Sequence, residues 1–106
     1  MTPISIDITS EGPSRITIAV SGEVDMATAG QLGDCLILHA DKDVTLDLSG
    51  VGFLDSSGLT ALARGYKAMR AAGHTLRTIG EQDHIQKVLE LTGLDKILHG
   101  EEPSAE

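Results

Sequence analysis

The sequence predicts an α/β fold: a single small domain with one mixed β-sheet of four to five strands, opened by an N-terminal hairpin and flanked by three to four helices. Three observations carry this. Apolar and polar residues alternate in two N-terminal runs on either side of a turn-like segment, strand-type and helix-type patterns then alternate along the chain, and glycines fall where those patterns change. The chain has 106 residues, 41% hydrophobic and 23% charged. That length suits one domain with its own core, and the composition lies outside the range of disorder.

The elements follow in order. Ile4, Ile6 and Ile8 alternate with polar residues, and after the turn-like segment Ser10 to Ser14 the alternation resumes at Ile16, Ile18 and Val20, which reads as a hairpin. Gly22 breaks this pattern. From about Ala27 to His39, Leu32, Cys35 and Leu36 share one helical face, although Gly30 and Gly33 weaken the helix. Val44, Leu46 and Leu48 alternate as a central strand. From Ser57 to Ala72, Leu59, Leu62, Ala63, Tyr66 and Met69 fall at helical spacing, and Gly73 supplies a left-handed C-cap. A short strand, Thr75 to Ile79, precedes a helix from Asp83 to Thr92 that carries Ile85, Val88 and Leu89 on one face and ends at Gly93. Asp83 stands three residues before Gln86, close to a capping box. Residues 1–100 are expected to form the domain and residues 101–106 a frayed acidic tail.

Composition restricts function. The formal net charge is −8, which repels phosphate backbones, and with one Phe, one Tyr and no Trp there is no aromatic platform for stacking bases. Nucleic acid is therefore not an expected partner, and a basic protein surface is. No stretch free of Asp, Glu, Lys and Arg exceeds eight residues, far short of a membrane span. The N-terminus has neither a basic region nor an apolar core of signal-peptide type. A cytoplasmic location is expected. Cys35, the only cysteine, has no internal disulfide partner and reads as a small core residue. No Cys/His spacing resembles a zinc site and no phosphate-cradling glycine motif occurs, so no metal or cofactor is expected.

The stretch Asp55-Ser56-Ser57-Gly58 places two hydroxyls where a strand hands over to a helix. The simplest role is structural: one serine caps the helix, worth on the order of 1 kcal/mol. A helix N-terminus also exposes unpaired amides and partial positive charge, so a phosphate esterified there is tolerated and even stabilised. It would add about 1.5 to 2 negative charges to whatever surface the elbow presents. A third reading is a catalytic nucleophile elbow. Gly58 fits only the second glycine of that motif and Leu54 occupies the first. His39, His74, His84 and His99 all fall near element ends, where solvated surface histidines are the ordinary case. Asp25 reads as a helix N-cap or turn acid and Asp55 as a cap or Asx-turn residue. Glu23 and Asp47 read as ordinary surface or strand-edge charges.

Four segments together resemble one family: GEVD at 22–25, VTLDLS at 44–49, FLDSSGL at 53–59, and a C-terminal pattern running from Gly80 through Ile85, Val88 and Leu89 to Leu94. This arrangement, spread over nearly the whole chain, is similar to the anti-sigma factor antagonists, bacterial members of the STAS domain family. The resemblance implies a small sheet flanked by helices and a protein that is not itself an enzyme. It implies partner switching: the unmodified form binds an anti-sigma factor that is also a serine kinase and so frees a sigma factor. Phosphorylation releases the complex, and a serine phosphatase restores it. The phosphorylated position maps to Ser56, with adjacent Ser57 as the alternative. Asp25, Asp55, Ser56, Ser57 and Gly58 map to the partner surface, and the free chain is expected to be a monomer. Two alternatives are a stand-alone STAS scaffold in another bacterial signalling assembly and, less favoured, a small serine hydrolase.

Overall fold

Alternation along the strands sets the architecture. The computed structural model describes residues 3–99, so the proposed tail at 101–106 lies outside the described residues. The elements are β1 (Ser5–Gly12), β2 (Arg15–Val24), α1 (Ala29–Leu38), β3 (Asp43–Leu54), α2 (Ser56–Ala71), β4 (Leu76–Ile79), α3 (Asp83–Thr92) and α4 (Leu94–Leu98). The sheet has the order β1-β2-β3-β4. β1 and β2 form the antiparallel hairpin, and β2–β3 and β3–β4 pair in parallel, with α1 and α2 as the crossovers. β3 lies inside the sheet, as its apolar alternation predicts.

Ile16, Ile18, Val20, Val44, Leu46, Leu48 and Leu76 are buried on one face. Their strand neighbours Thr17, Ala19, Thr45, Asp47, Arg77 and Ile79 are half-buried or exposed on the other. The helices cover one face, adding Leu32, Leu36, Ala61, Leu62, Met69, Ile85, Leu89 and Leu98 to a single core, with Leu59, Tyr66 and Cys35 packed at its margin. Glycines that weaken helix propensity let α1 and α2 approach closely. A Cβ on Gly65 would meet Leu36 Cδ1 at 2.6 Å, and one on Gly33 would meet Ala61 Cβ at 3.5 Å.

The structure departs from the sequence reading at several boundaries. β2 does not stop at Gly22 but continues to Val24, with register shifts against β3 that displace the period-2 pattern. Gly22 adopts φ +111°, and a Cβ there would stand 2.9 Å from the Pro3 carbonyl. β3 likewise extends beyond Leu48 to Leu54, and the same irregularity buries Val51 and Leu54 three residues apart. α1 begins at Ala29, two residues later than expected, because Asp25 to Thr28 form a turn. The capping box at Asp83 is not made: Gln82 holds the N-cap position without a side-chain bond, and the Gln86 amide donates to Glu90 instead. Gly93, at φ +79°, ends α3 and leads directly into the short α4.

Candidate functional site

Two turns at the C-terminal ends of β2 and β3 form the site. The Asp55 amide donates to the Val24 carbonyl at 3.2 Å, tying the elbow to the turn that follows β2. In that turn Asp25 Oδ1 accepts from the amides of Ala27 at 2.9 Å and Thr28 at 3.2 Å. The Asp25 amide donates to Thr28 Oγ1 at 3.0 Å, and this hydroxyl donates to the Glu23 carbonyl at 2.6 Å. Asp25 is thus the turn acid. Thr28, buried and polar, locks the turn; the sequence signal for it was a threonine three residues after an acid.

The elbow corrects the simplest reading of the serines. Asp55, in extended conformation, is the N-cap of α2, and its Oδ1 accepts from the Ser57 amide at 2.9 Å and the Gly58 amide at 3.3 Å. Neither serine hydroxyl caps the helix. Ser56 occupies the first helical position and is exposed, whereas Ser57 is half-buried. The Ser57 and Gly58 amides, two of those that a phosphate at the helix start was expected to meet, already donate to Asp55. Gly58 is buried, and a Cβ there would meet Leu54 Cγ at 2.8 Å and Val24 Cγ1 at 2.9 Å. Its role is to let the start of α2 sit directly against both strand ends, which fixes where Ser56 emerges.

The structure therefore brings Asp25, Asp55, Ser56, Ser57 and Gly58 to one end of the sheet. It adds two residues that sequence reasoning missed. Met26, 85% exposed, and Phe53, 46% exposed, flank the turn and the elbow. Period-2 alternation does not place Phe53, because the register between β2 and β3 shifts before it is reached. Glu23 is exposed beside Phe53, its register partner, and Asp47 accepts from the Ser49 amide at 2.9 Å.

The histidines are partnered rather than simply solvated, and none meets a serine of the elbow. His39 Nδ1 donates to the Cys35 carbonyl at 2.8 Å, His74 Nδ1 to Asp43 Oδ1 at 3.1 Å, and His84 Nε2 to the Gly52 carbonyl at 2.7 Å. His99 bonds Glu81, which also accepts from Thr78 Oγ1 at 2.8 Å. No non-glycine residue among those described has a positive φ, so Ser56 lacks the backbone strain of a nucleophile elbow. Among the described residues the triad geometry that hydrolysis needs is not assembled around Ser56 or Ser57. Burial raises the Cys35 thiol above its ordinary value, consistent with a core residue and against a reactive thiolate. Among the described residues no group of three His, Cys, Asp or Glu side chains is placed to hold a metal ion. No described helix is long and apolar enough to cross a membrane.

Fold and elbow define a small α/β domain that presents a serine on a rigid helix start. The family model described as "Mlab, STAS domain" matches residues 9–99. The chain belongs to the STAS domain family. It is 32% identical over 98 residues to the anti-sigma-B factor antagonist of Listeria monocytogenes, covering 90% of this chain and 86% of that protein. Similarity to the anti-sigma-B factor antagonist of Staphylococcus aureus is 31% over 85 residues, covering 77% and 79%. An anti-sigma factor antagonist from Mycobacterium paratuberculosis superposes with a TM-score of 0.72 at 28% identity, covering 96% of this chain and 87% of that one. SpoIIAA in its unphosphorylated form shares the fold with a TM-score of 0.67 at 15% identity, covering 82% and 83%.

Proposed function

We propose that this chain is an anti-sigma factor antagonist that works by partner switching. Unmodified, it binds an anti-sigma factor with serine-kinase activity and thereby frees a sigma factor. Phosphorylation of Ser56 by that kinase ends the association, and a serine phosphatase reverses it. The chain itself catalyses nothing and acts in the cytoplasm. The observation that carries this reading is the exposed Ser56 hydroxyl at the first position of α2, beside a cap already filled by Asp55.

That geometry makes a switch without unfolding. The helix N-terminus favours negative charge, and the packing of Gly58 against Leu54 and Val24 does not involve the Ser56 side chain. A phosphate therefore leaves the fold intact while placing about 1.5 to 2 further negative charges on the surface that Asp25 and Asp55 already make acidic. A partner surface fitted to a neutral hydroxyl loses its complementarity. Ser57, half-buried and next along the helix, is the less accessible acceptor. Met26 and Phe53 supply the apolar part of the docking surface.

The test is capture of partners from lysate on the immobilised unmodified protein, followed by incubation of the captured protein with ATP and phosphosite mapping. The reading predicts an anti-sigma factor that phosphorylates Ser56. A second reading, a STAS scaffold in another bacterial assembly, draws on the family description naming Mlab rather than an antagonist, and predicts a captured partner that is not an anti-sigma factor.

A further inference from the structure

The sheet face left open by the helices carries a second polar constellation, at the end of the strands remote from Ser56. Strand register builds it: Arg15 on β2 pairs with Asp43, and Thr45 on β3 pairs with Arg77 on β4. β3 spans 12 residues from Asp43 to Leu54, so this end lies on the order of 30 Å from the elbow. A cavity of about 270 Å³ opens there, lined by Glu11, Arg15, Asp43, Thr45, Thr75 and Arg77.

Among the described residues neither Arg15 nor Arg77, the two guanidinium groups at this cavity, has an ion-pair or hydrogen-bond partner. Asp43 does not serve them. Its Oδ1 accepts from His74 Nδ1 at 3.1 Å, the Thr75 amide at 3.0 Å and Thr75 Oγ1 at 3.4 Å. Glu11 stands outside ion-pair distance of both guanidinium groups. Two forks, each with five N–H donors, thus line one small cavity without acceptors of their own among the described residues, and the Thr45 hydroxyl joins them.

We propose that this cavity binds a small molecule with an oxyanion head, phosphoryl or carboxylate, held between Arg15 and Arg77. Planar guanidinium groups recognise such heads through paired charge-assisted hydrogen bonds. Glu11 and Thr45 are placed to meet hydroxyl or amino groups on the rest of the ligand. The volume lies just below the usual range for small-molecule sites, about 300 to 1,000 Å³, which limits the ligand to a compact metabolite. The inference does not rest on the proposed role of Ser56.

The test follows the Arg Nε–H signals and backbone amides of ¹⁵N-labelled protein by NMR. Inorganic phosphate, glycerol 3-phosphate or succinate is added, with ionic strength held constant by sodium chloride. Saturable shifts are expected at Arg15, Arg77, Thr45 and Thr75. The phosphate compounds produce them if the site takes a phosphoryl head, and succinate does if it takes a carboxylate. Arg15→Gln and Arg77→Gln should each weaken binding about tenfold or more, and Ser56→Ala should leave it unchanged. Both arginines are exposed, so these variants are expected to fold. Shifts that grow without saturation for all three compounds overturn the proposal. So does saturation at an unchanged midpoint in the Arg15→Gln/Arg77→Gln double variant.

Discussion

Asp55 Oδ1 lies 2.9 Å from the Ser57 amide nitrogen, and this bond assigns the start of α2 to the acid instead of the serines. Asp55→Ala should cost about 0.5 to 2 kcal/mol as a lost cap, whereas Asp55→Asn should retain most of it. Ser56→Ala, at an exposed position with no capping bond, should stay within about 0.5 kcal/mol of the parent. Urea midpoints measure all three. Equal losses for Asp55→Ala and Ser56→Ala would return the cap to the serine.

The α1–α2 contact yields a second prediction. Leu62 is fully buried, so Leu62→Ala should cost about 2 to 5 kcal/mol, a large share of a small domain's stability. Gly65→Ala sets two effects against each other. Alanine gains about 1 kcal/mol of helix propensity, but its Cβ would stand 2.8 Å from Leu36 Cβ, and overpacking costs about 1 to 3 kcal/mol. Leu36 Cβ is fixed to its helix and cannot swing away, so the overpacking term should win and the melting temperature should fall. A rise would show that the helices separate freely.

How much of this was legible in the sequence depends on where the pattern stays regular. The hairpin, the inward face of β3 at Val44, Leu46 and Leu48, and α3 from Asp83 to Thr92 follow directly from periodicities of 2 and 3.6. The ends of β2 and β3 did not, because register shifts near Gly22 and Ser21 break the alternation while pairing continues. For the same reason the exposure of Phe53 could not be read from the pattern. At the site, Ser56, Ser57, Gly58, Asp25 and Asp55 could be singled out from their motif, but the division of labour between acid and serine could not. Both types are good caps, and only the backbone geometry decides between them. The histidine bonds were equally hidden, since His74 meets Asp43, and His99 meets Glu81, across long sequence separations.

Acid should loosen the C-terminal part of the fold. Burial by itself raises the Glu81 carboxyl, but hydrogen bonds from His99, its own backbone amide and Thr78 outweigh that and hold it below the ordinary carboxylate value. The His74 hydrogen bond, with that of the Thr75 amide, lowers Asp43 in the same way. A depressed folded value means that the unfolded chain binds more protons, so the contribution is intact above the unfolded value of 4.5 for Glu81. It is lost as pH falls through the folded value. Wild type should be more stable than Glu81→Gln at about pH 6. The gap should narrow steadily below about pH 4.5, measured as melting temperature against pH. A gap that widens in acid would contradict this sign.

Association with the proposed partner should be assisted by charge. With a net charge of −8 and Glu23, Asp25 and Asp55 around the elbow, the association rate in stopped-flow should fall as salt rises from about 0.05 M to 0.5 M. A rate independent of salt would count against a basic docking surface.

The most direct test of the switch is titration calorimetry of one anti-sigma factor against the unmodified and the phosphorylated protein, with the phosphate located by mass spectrometry. The phosphate should map to Ser56, and affinity should drop by about a hundredfold or more, because like-charge and desolvation costs at a docked surface reach several kcal/mol. Ser56→Ala should bind as the unmodified protein does, and all forms should show the same circular dichroism. Equal affinity of the two forms, or a phosphate on Ser57 with Ser56 unmodified, would contradict the assignment of the switch to Ser56.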